Sequence, residues 1–210
     1  MKKTFVLIVL FVLPLVAYLF FASGVNNFGI LPTLTENIAD ISELDSTIIL
    51  QDKITILGFL GKDAELKKGN AFNLNQKIYK PFYEFNDFQI VMVIPKGTNA
   101  VVDEIKMELG NLTDIRNWKF LYANDEAIQR VFNSLQTDIL LDENLGTPYV
   151  FIIDKDRNLR GRTDDEDEGT KYGFNTNSVA ELNNKMEDDV KIILAEYRLA
   201  LKKNNARRNK

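Results

Sequence analysis

Carboxylates, amines and hydroxyls are what this chain has for chemistry: its 210 residues include no cysteine and no histidine. Thiol–disulfide exchange, metal binding by thiolate or imidazole, and imidazole acid–base catalysis therefore have no atoms to run on. The densest carboxylate group is Asp164-Asp165-Glu166-Asp167-Glu168, closed by Gly169. Five contiguous acids can hold a hard cation such as Ca²⁺ through oxygen. A run of this kind more commonly forms a solvated loop or a face for a basic partner, and that is the expectation here. Asp154-x-Asp156-x-Asn158 has the opening of a calcium-binding loop, but its sixth position is Leu159, not glycine, and its twelfth is Asp165, not glutamate. The pattern fails twice, so a hairpin turn is expected instead. The sequence contains no nucleophile elbow, P-loop or dinucleotide fingerprint. Of the four methionines, Met92, Met107 and Met186 fall in strand- or helix-like segments and read as packing residues, not as a thioether metal site.

Charge is divided along the chain. The formal net charge is −4, but seven of the 26 basic residues lie at the two ends (Lys2, Lys3, Lys202, Lys203, Arg207, Arg208 and Lys210). The remaining 19 stand against 30 acidic residues, so residues 24–201 carry −11. A body this acidic repels phosphates, and no nucleic-acid partner is expected. The basic end, 202–210, reads as a solubilising terminus, with an anionic lipid surface as the other reading.

Phe5–Ala22 is an eighteen-residue run without a charge, close to the length needed to cross a bilayer's roughly 30 Å hydrocarbon core. Lys2 and Lys3 precede it, and no further basic residue occurs until Lys53. The positive-inside rule then puts residues 1–4 in the cytoplasm, a transmembrane anchor at 5–25, and the rest outside the cytoplasmic membrane. A cleaved signal peptide ending near Ala22-Ser23-Gly24 competes, but its apolar region would be unusually long. No cofactor is expected.

The segments that must position any site follow the anchor. Residues 26–46 read as a spacer, and 47–201 as one domain. Thr47–Leu50 and Ile54–Leu60 suggest two strands around Gln51-Asp52-Lys53, the second apolar enough to be central. Gly61–Gly69 is a polar loop, and Ala71–Phe85 a helix broken or kinked at Pro81. Phe88–Ile94 is a buried-type strand, Val101–Leu109 a helix, Trp118–Tyr122 a strand and Asp125–Leu135 a helix with one apolar stripe. Tyr149–Ile153 and Leu159–Arg162 pair across the Asp154–Asn158 turn. Ser178–Leu201 is the closing helix, with Ser178 and Glu181 spaced as a capping box. Strands alternating with helices indicate an α/β fold with a mixed sheet.

This order resembles a thioredoxin-like fold, and several stretches are similar to the SCO/SenC family, membrane-anchored proteins linked to assembly of the copper centre of cytochrome c oxidase. The stretches are Asn117-Trp118-Lys119-Phe120-Leu121 with Asp125-Glu126-Ala127-Ile128; Phe151–Gly161, like the family's L-I-D-x-x-G-x-I-R-G hairpin; Val179–Tyr197, like its closing helix; and Leu31-Pro32 after the anchor. The departures fall on functional positions. The family's C-x-x-x-C corresponds to Gly61–Gly69, where Lys62, Asp63 and Glu65 stand without sulfur, and its metal-binding histidine falls near Gly146 or Thr147. Thr147-Pro148 instead resembles the Thr-(cis)Pro beside the active site of ordinary thioredoxins. The resemblance implies a domain that has lost its redox and copper site and serves as a non-catalytic accessory or binding module. Its partner would be another envelope or respiratory protein, in the setting of oxidase assembly. Two alternatives stay open: an enzyme using carboxylates, Lys or Tyr in the cleft near Lys62–Lys68 and Thr147-Pro148, and a cation-dependent module on Asp164–Glu168.

Overall fold

Ile54–Leu60 is apolar except at Thr55 and Gly58, and such a strand needs cover on both faces. The computed structural model describes residues 2–22 and 29–208, with side chains of the first helix at Lys3, Val6 and 9–18 and those of the last helix as far as Ala200. In it this run is β2, buried at all seven positions. β2 pairs in parallel with β3 (Phe88–Pro95), and β3 in parallel with β4 (Trp118–Ala123). On its other edge β2 meets β5 (Gly146–Ile153) antiparallel, with a bulge between Gly58 and Leu60. The end of β5 pairs β6 (Leu159–Arg160), and β6 pairs β1 (Thr33–Thr35). β9 (Phe174–Asn175) pairs the middle of β5 at Tyr149 and Val150, which completes a seven-stranded mixed sheet. β7 (Arg162–Asp165) and β8 (Gly169–Lys171) form a separate hairpin.

Alternate residues of the strands feed two cores. Ile54, Ile56, Ile90, Met92, Ile94 and Ile152 face α2 (Lys68–Leu74), α4 (Asn99–Leu112) and the closing helix, α7 (Glu187–Arg208). Leu57, Phe59, Val91, Val93, Phe151 and Ile153 face α5 (Asp125–Asn133) and an irregular segment around residues 38–50. α2 runs through a π turn at Asn75–Tyr79 into the short α3 (Lys80–Phe82), whose second residue is Pro81, so the predicted proline break falls at a change of helix type. The short α6 (Val179–Glu181) leads through a second π turn, Leu182–Met186, into α7. Three parallel strands extended by antiparallel ones, with helices on both faces, make a thioredoxin-like α/β domain.

Several expectations are corrected. Thr47–Leu50 is not a strand: both edges of β2 are taken by β3 and β5, and Asp45 turns the chain by accepting the Thr47 amide (2.9 Å) and hydroxyl (2.7 Å). Residues 29–46 of the expected spacer belong to the fold, since Leu31, Ile38 and Ile41 are buried in the two cores and residues 33–35 form β1. Ser178 caps its helix through the Glu181 amide (3.2 Å), but the Glu181 carboxylate accepts from the Asn175 amide (2.9 Å) instead of closing a capping box. Met107 is exposed, while Met92 and Met186 are packed as expected. Asp154 organises the predicted hairpin turn, its Oδ1 accepting the amides of Asp156 (2.9 Å) and Asn158 (2.8 Å).

α1 (Lys2–Ala22) is helical, and its described side chains Val9–Val16, apart from Pro14, are exposed large hydrophobics. Among the described residues, which omit the side chains of much of this run, no helix is long and apolar enough to cross a membrane. The uncharged eighteen-residue run is a fact of the sequence, and residues 23–28, including the end of the expected span, lie outside the described residues.

Candidate functional site

β2 delivers the chain at Leu60 into the loop where the resemblance places lost ligands, and Gly61 is what lets it turn. Gly61 has φ +75°, and a Cβ there would lie 2.8 Å from the Asn144 carbonyl and the Gly146 amide. The Lys62 amide donates to that same carbonyl (2.7 Å). Residues 61–67 are thus laced to residues 142–146, and one side chain fills the space between. Lys67 Nζ donates to Asp63 Oδ1 at 2.6 Å and to Asp142 Oδ2 at 2.8 Å. Asp142 in turn accepts the amides of Asn144 (2.9 Å) and Gly146 (2.8 Å) on Oδ1.

Gly146 has no room for a side chain. A Cβ there would sit 2.8 Å from Leu60 O, from Lys67 Cε and from Lys67 Nζ. The Lys67 ammonium therefore lies directly over the backbone of β5's first residue. Burial works against its charge, but Asp142 and Asp63 more than offset this and hold the amine above the ordinary lysine value. Burial likewise pushes Asp142 up, while Lys67 and the Gly146 amide bring it below the usual carboxylate range. Lys67 is then a fixed cation and neither a nucleophile nor a base.

The cleft behind this bridge is nearly closed. A cavity of about 10 Å³ remains between Leu60, Lys67, Ala71, Met92, Thr147 and Val150, room for about one water molecule. Thr147 is buried, and its hydroxyl accepts weakly from the Tyr149 amide (3.3 Å). Pro148 follows a trans peptide bond, unlike the cis proline of the thioredoxins that Thr147-Pro148 resembles, and its carbonyl accepts from the Thr176 amide (2.9 Å) and hydroxyl (2.6 Å). Lys62 points away to Asp125 (2.7 Å), and Glu65 is exposed. Of the six residues singled out by the resemblance, Asp63, Gly146 and Thr147 line or support the bridge; Lys62, Glu65 and Pro148 stand around it. Asp142 lies outside that set. Asp63 and Lys67 carry a local signal, an acid four residues before a base, but Asp142 is 75 residues from Lys67 and has none.

The acidic run does not act as a group. Asp165 ends β7 with its carboxylate buried against Lys185 (2.7 and 2.8 Å); burial pushes it up, and Lys185 with the amides of Asp167 and Glu168 brings it below the usual range. Asp167 also pairs Lys185 (2.7 Å), and Glu168 pairs the fully buried Lys171 (2.6 Å), which also reaches Glu181 (2.8 Å). Arg162, on the same hairpin, forks onto Asp189 of α7 (2.8–3.2 Å). These pairs fasten the β7–β8 hairpin to α6, to the π turn that follows it and to α7. Asp164 and Glu166 stay exposed. Among the described residues, no group of three acidic side chains is placed to hold a metal ion.

No protein-family model matches the chain, and no curated protein matches it. Solved structures similar to it include a SCO1/SenC family lipoprotein from Bacillus anthracis (15% identity, covering 80% of this chain and 96% of that one, TM-score 0.46). A putative electron transfer protein from Aquifex aeolicus has 15% identity over 79% of this chain and 98% of its own, with TM-score 0.46. A thiol:disulfide interchange protein from Chlorobium tepidum has 18% identity over 81% and 99%, with TM-score 0.45. The thioredoxin-like reading rests on the strand order and directions given above, not on these overlaps.

The donor set does not fit copper. The loop at 61–69 and the start of β5 offer carboxylates, amides, the Thr147 hydroxyl and the ammonium groups of Lys62, Lys67 and Lys68, and the one sulfur lining the cavity is the Met92 thioether, where a copper(I) site needs several thiolate, thioether or imidazole ligands. The space between them is held by a cation that belongs to the chain.

Proposed function

We propose that this is a single-pass protein of the cytoplasmic membrane that presents its thioredoxin-like domain on the outer side as a non-catalytic accessory or binding module. The observation that carries the proposal is the Asp63–Lys67–Asp142 bridge. It closes the cleft and neutralises the carboxylates that an acid–base enzyme would need free. The uncharged Phe5–Ala22 run and the lysines before it support the anchor and its orientation. A setting beside respiratory-oxidase assembly is what the SCO/SenC resemblance adds, and the partner would then be an envelope or respiratory protein. The acidic hairpin supports no cation-dependent reading, because its buried carboxylate is taken by Lys185.

The test has two arms. Titration of the purified chain with copper(I) is expected to show no tight one-to-one complex, and such a complex would overturn the loss of the site. Crosslinking in native membranes is expected to capture oxidase subunits or copper chaperones. Recovery of cell-envelope polymer enzymes alone would sink the respiratory setting.

A further inference from the structure

The end of the domain opposite the Lys67 bridge is built differently. There the first residue of β2 and the turn before β3 meet the middle of α7. A groove of about 300 Å³ opens between Ile54, Phe85, Leu194 and Tyr197, with Asp87, Lys155 and Arg198 also lining it. Phe85 is 42% exposed and, on the next turn of α7, Leu199 is 41% exposed. The chain enters the domain at this same end. Gly29 lies against Ile192 of α7, the Leu31 carbonyl accepts from Arg160 Nε (2.7 Å), and Arg160 also reaches Glu196 (2.8 Å). Ile30, between them, is 72% exposed. Singly exposed apolar residues such as Leu66 (83%) and Leu140 (81%) occur elsewhere; what sets this end apart is that Phe85 and Leu199 lie beside an apolar groove.

From this arrangement, and resting on the anchor reading above, we propose that this end of the domain lies on the anionic lipid surface of the membrane that holds the anchor. Three observations select lipid as the occupant. Only six residues, 23–28, separate α1 from Gly29, a reach of at most about 25 Å even if fully extended, so whatever face carries Gly29 stays close to the bilayer. The last turns of α7 carry Lys202, Lys203, Arg207 and Arg208, with Lys210 after them, next to the apolar residues and not scattered over the domain. A basic segment beside exposed aliphatic and aromatic side chains suits an interface of headgroups over hydrocarbon. Finally, several acids at this end are already paired: Asp87 with Lys53 and Lys155, and Asp154 and Glu196 with Arg160. Arg198 is exposed and, among the described residues, has no ion-pair partner; Asp52, Glu84 and Asp156 are the exposed, unpaired acids at this end that the basic tail must outweigh. The Lys67 bridge, at the far end of a strand about 20 Å long, then points away from the membrane and toward any partner.

The absence of native cysteine makes the test direct. Single variants Val12→Cys, Glu65→Cys, Phe85→Cys and Leu199→Cys of the full chain are labelled with an environment-sensitive fluorophore. They are then reconstituted into vesicles of phosphatidylcholine, with and without phosphatidylglycerol, carrying nitroxide-labelled lipids. Labels at 85 and 199 are expected to shift to the blue and to be quenched several-fold more with phosphatidylglycerol than without. The label at 65 should stay water-like in both. High salt, or replacing Lys202, Lys203, Arg207 and Arg208 by Gln, should abolish the difference. Quenching at 12 together with water-like labels at 85 and 199 in both lipids would overturn the inference and leave the anchor standing. An unquenched label at 12 would remove the anchor and this inference together. Protection of 85 and 199 only when other membrane proteins are present would assign the face to a protein instead.

Discussion

Replacing Lys67 by Met keeps most of the packing over Gly146 and removes only the charge. Lys67 is 11% exposed, while Asp63 and Asp142 are 23% and 42% exposed. Removing one member of a fully buried pair costs about 3–5 kcal/mol, and breaking an exposed pair costs about 1 kcal/mol or less. The open carboxylates place this bridge between those limits, at about 2 kcal/mol. For a domain of this size each kcal/mol lowers Tm by about 2–4 °C, so Lys67→Met should melt about 4–8 °C lower at neutral pH. The pH dependence separates a charge effect from a packing effect. Asp142 is held below its ordinary value partly by Lys67. A depressed carboxylate contributes stability that is present above its unfolded pKa and is lost as pH falls through its folded pKa. The gap between wild type and variant should therefore be full at neutral pH and should shrink below about pH 4. Urea titrations of both proteins near neutrality and in acid measure it. An unchanged midpoint at neutral pH, or a gap that persists undiminished in acid, would refute the reasoning.

Gly146→Ala should destabilise by about 1–3 kcal/mol, since the new Cβ meets the Leu60 carbonyl as well as the movable lysine; a chemical denaturation midpoint equal to wild type would show that the backbone gives way freely. Asp165→Asn should cost about 2–3 kcal/mol by leaving Lys185 with Asp167 alone and freeing the hairpin, read as faster amide exchange across residues 162–171. Calorimetry with Ca²⁺ should show no binding heat for wild type, and a saturable heat lost on changing Asp164–Glu168 to amides would reverse the assignment of that run. Arg160→Met should be the most damaging single change, at about 3–5 kcal/mol. It strands Asp154, whose side chain is 2% exposed, and also releases Leu31 and Glu196; thermal melting should rank it below Lys67→Met.

The strands and helices that the sequence predicts are those whose apolar spacing leaves little choice. β2 and β3 are nearly continuous apolar runs, broken only by Thr55, Gly58 and Gln89, and α5 carries Ile128, Val131 and Phe132 on one face, so their types and places follow from pattern alone. Thr47–Leu50 has strand composition but no partner edge, a matter of topology that a local window cannot see. Leu31, Ile38 and Ile41 are core residues set singly among Asn, Thr, Pro and Asp, and so read as linker until Arg160 and β6 are known to receive them. The site divides the same way. Asp63 and Lys67 are one helical turn apart and visible as a pair, whereas Asp142 joins them only because β5 returns beside β2.

The bridge also bears on what it would take to build a metal site at this end. The SCO/SenC resemblance would place sulfur in Gly61–Gly69 and imidazole near Gly146. Substituting those residues alone does not recreate the site. Any side chain at 146 meets the Leu60 carbonyl at 2.8 Å, and Lys67 places a positive charge at that same point. A metal cation brought there would face that charge across a few ångströms in a poorly hydrated space, where repulsion between like charges is strong. The backbone at Gly61 and Gly146 and the charge of Lys67 thus agree with each other and disagree with a metal. A chain that had merely lost its ligands would show an open cleft or one filled by apolar side chains. Here a tethered ammonium and two carboxylates complete a hydrogen-bonded unit that includes three backbone amides, those of Lys62, Asn144 and Gly146. That unit fixes the two loops relative to each other and makes this end of the domain a rigid surface, the property the proposed binding module would need.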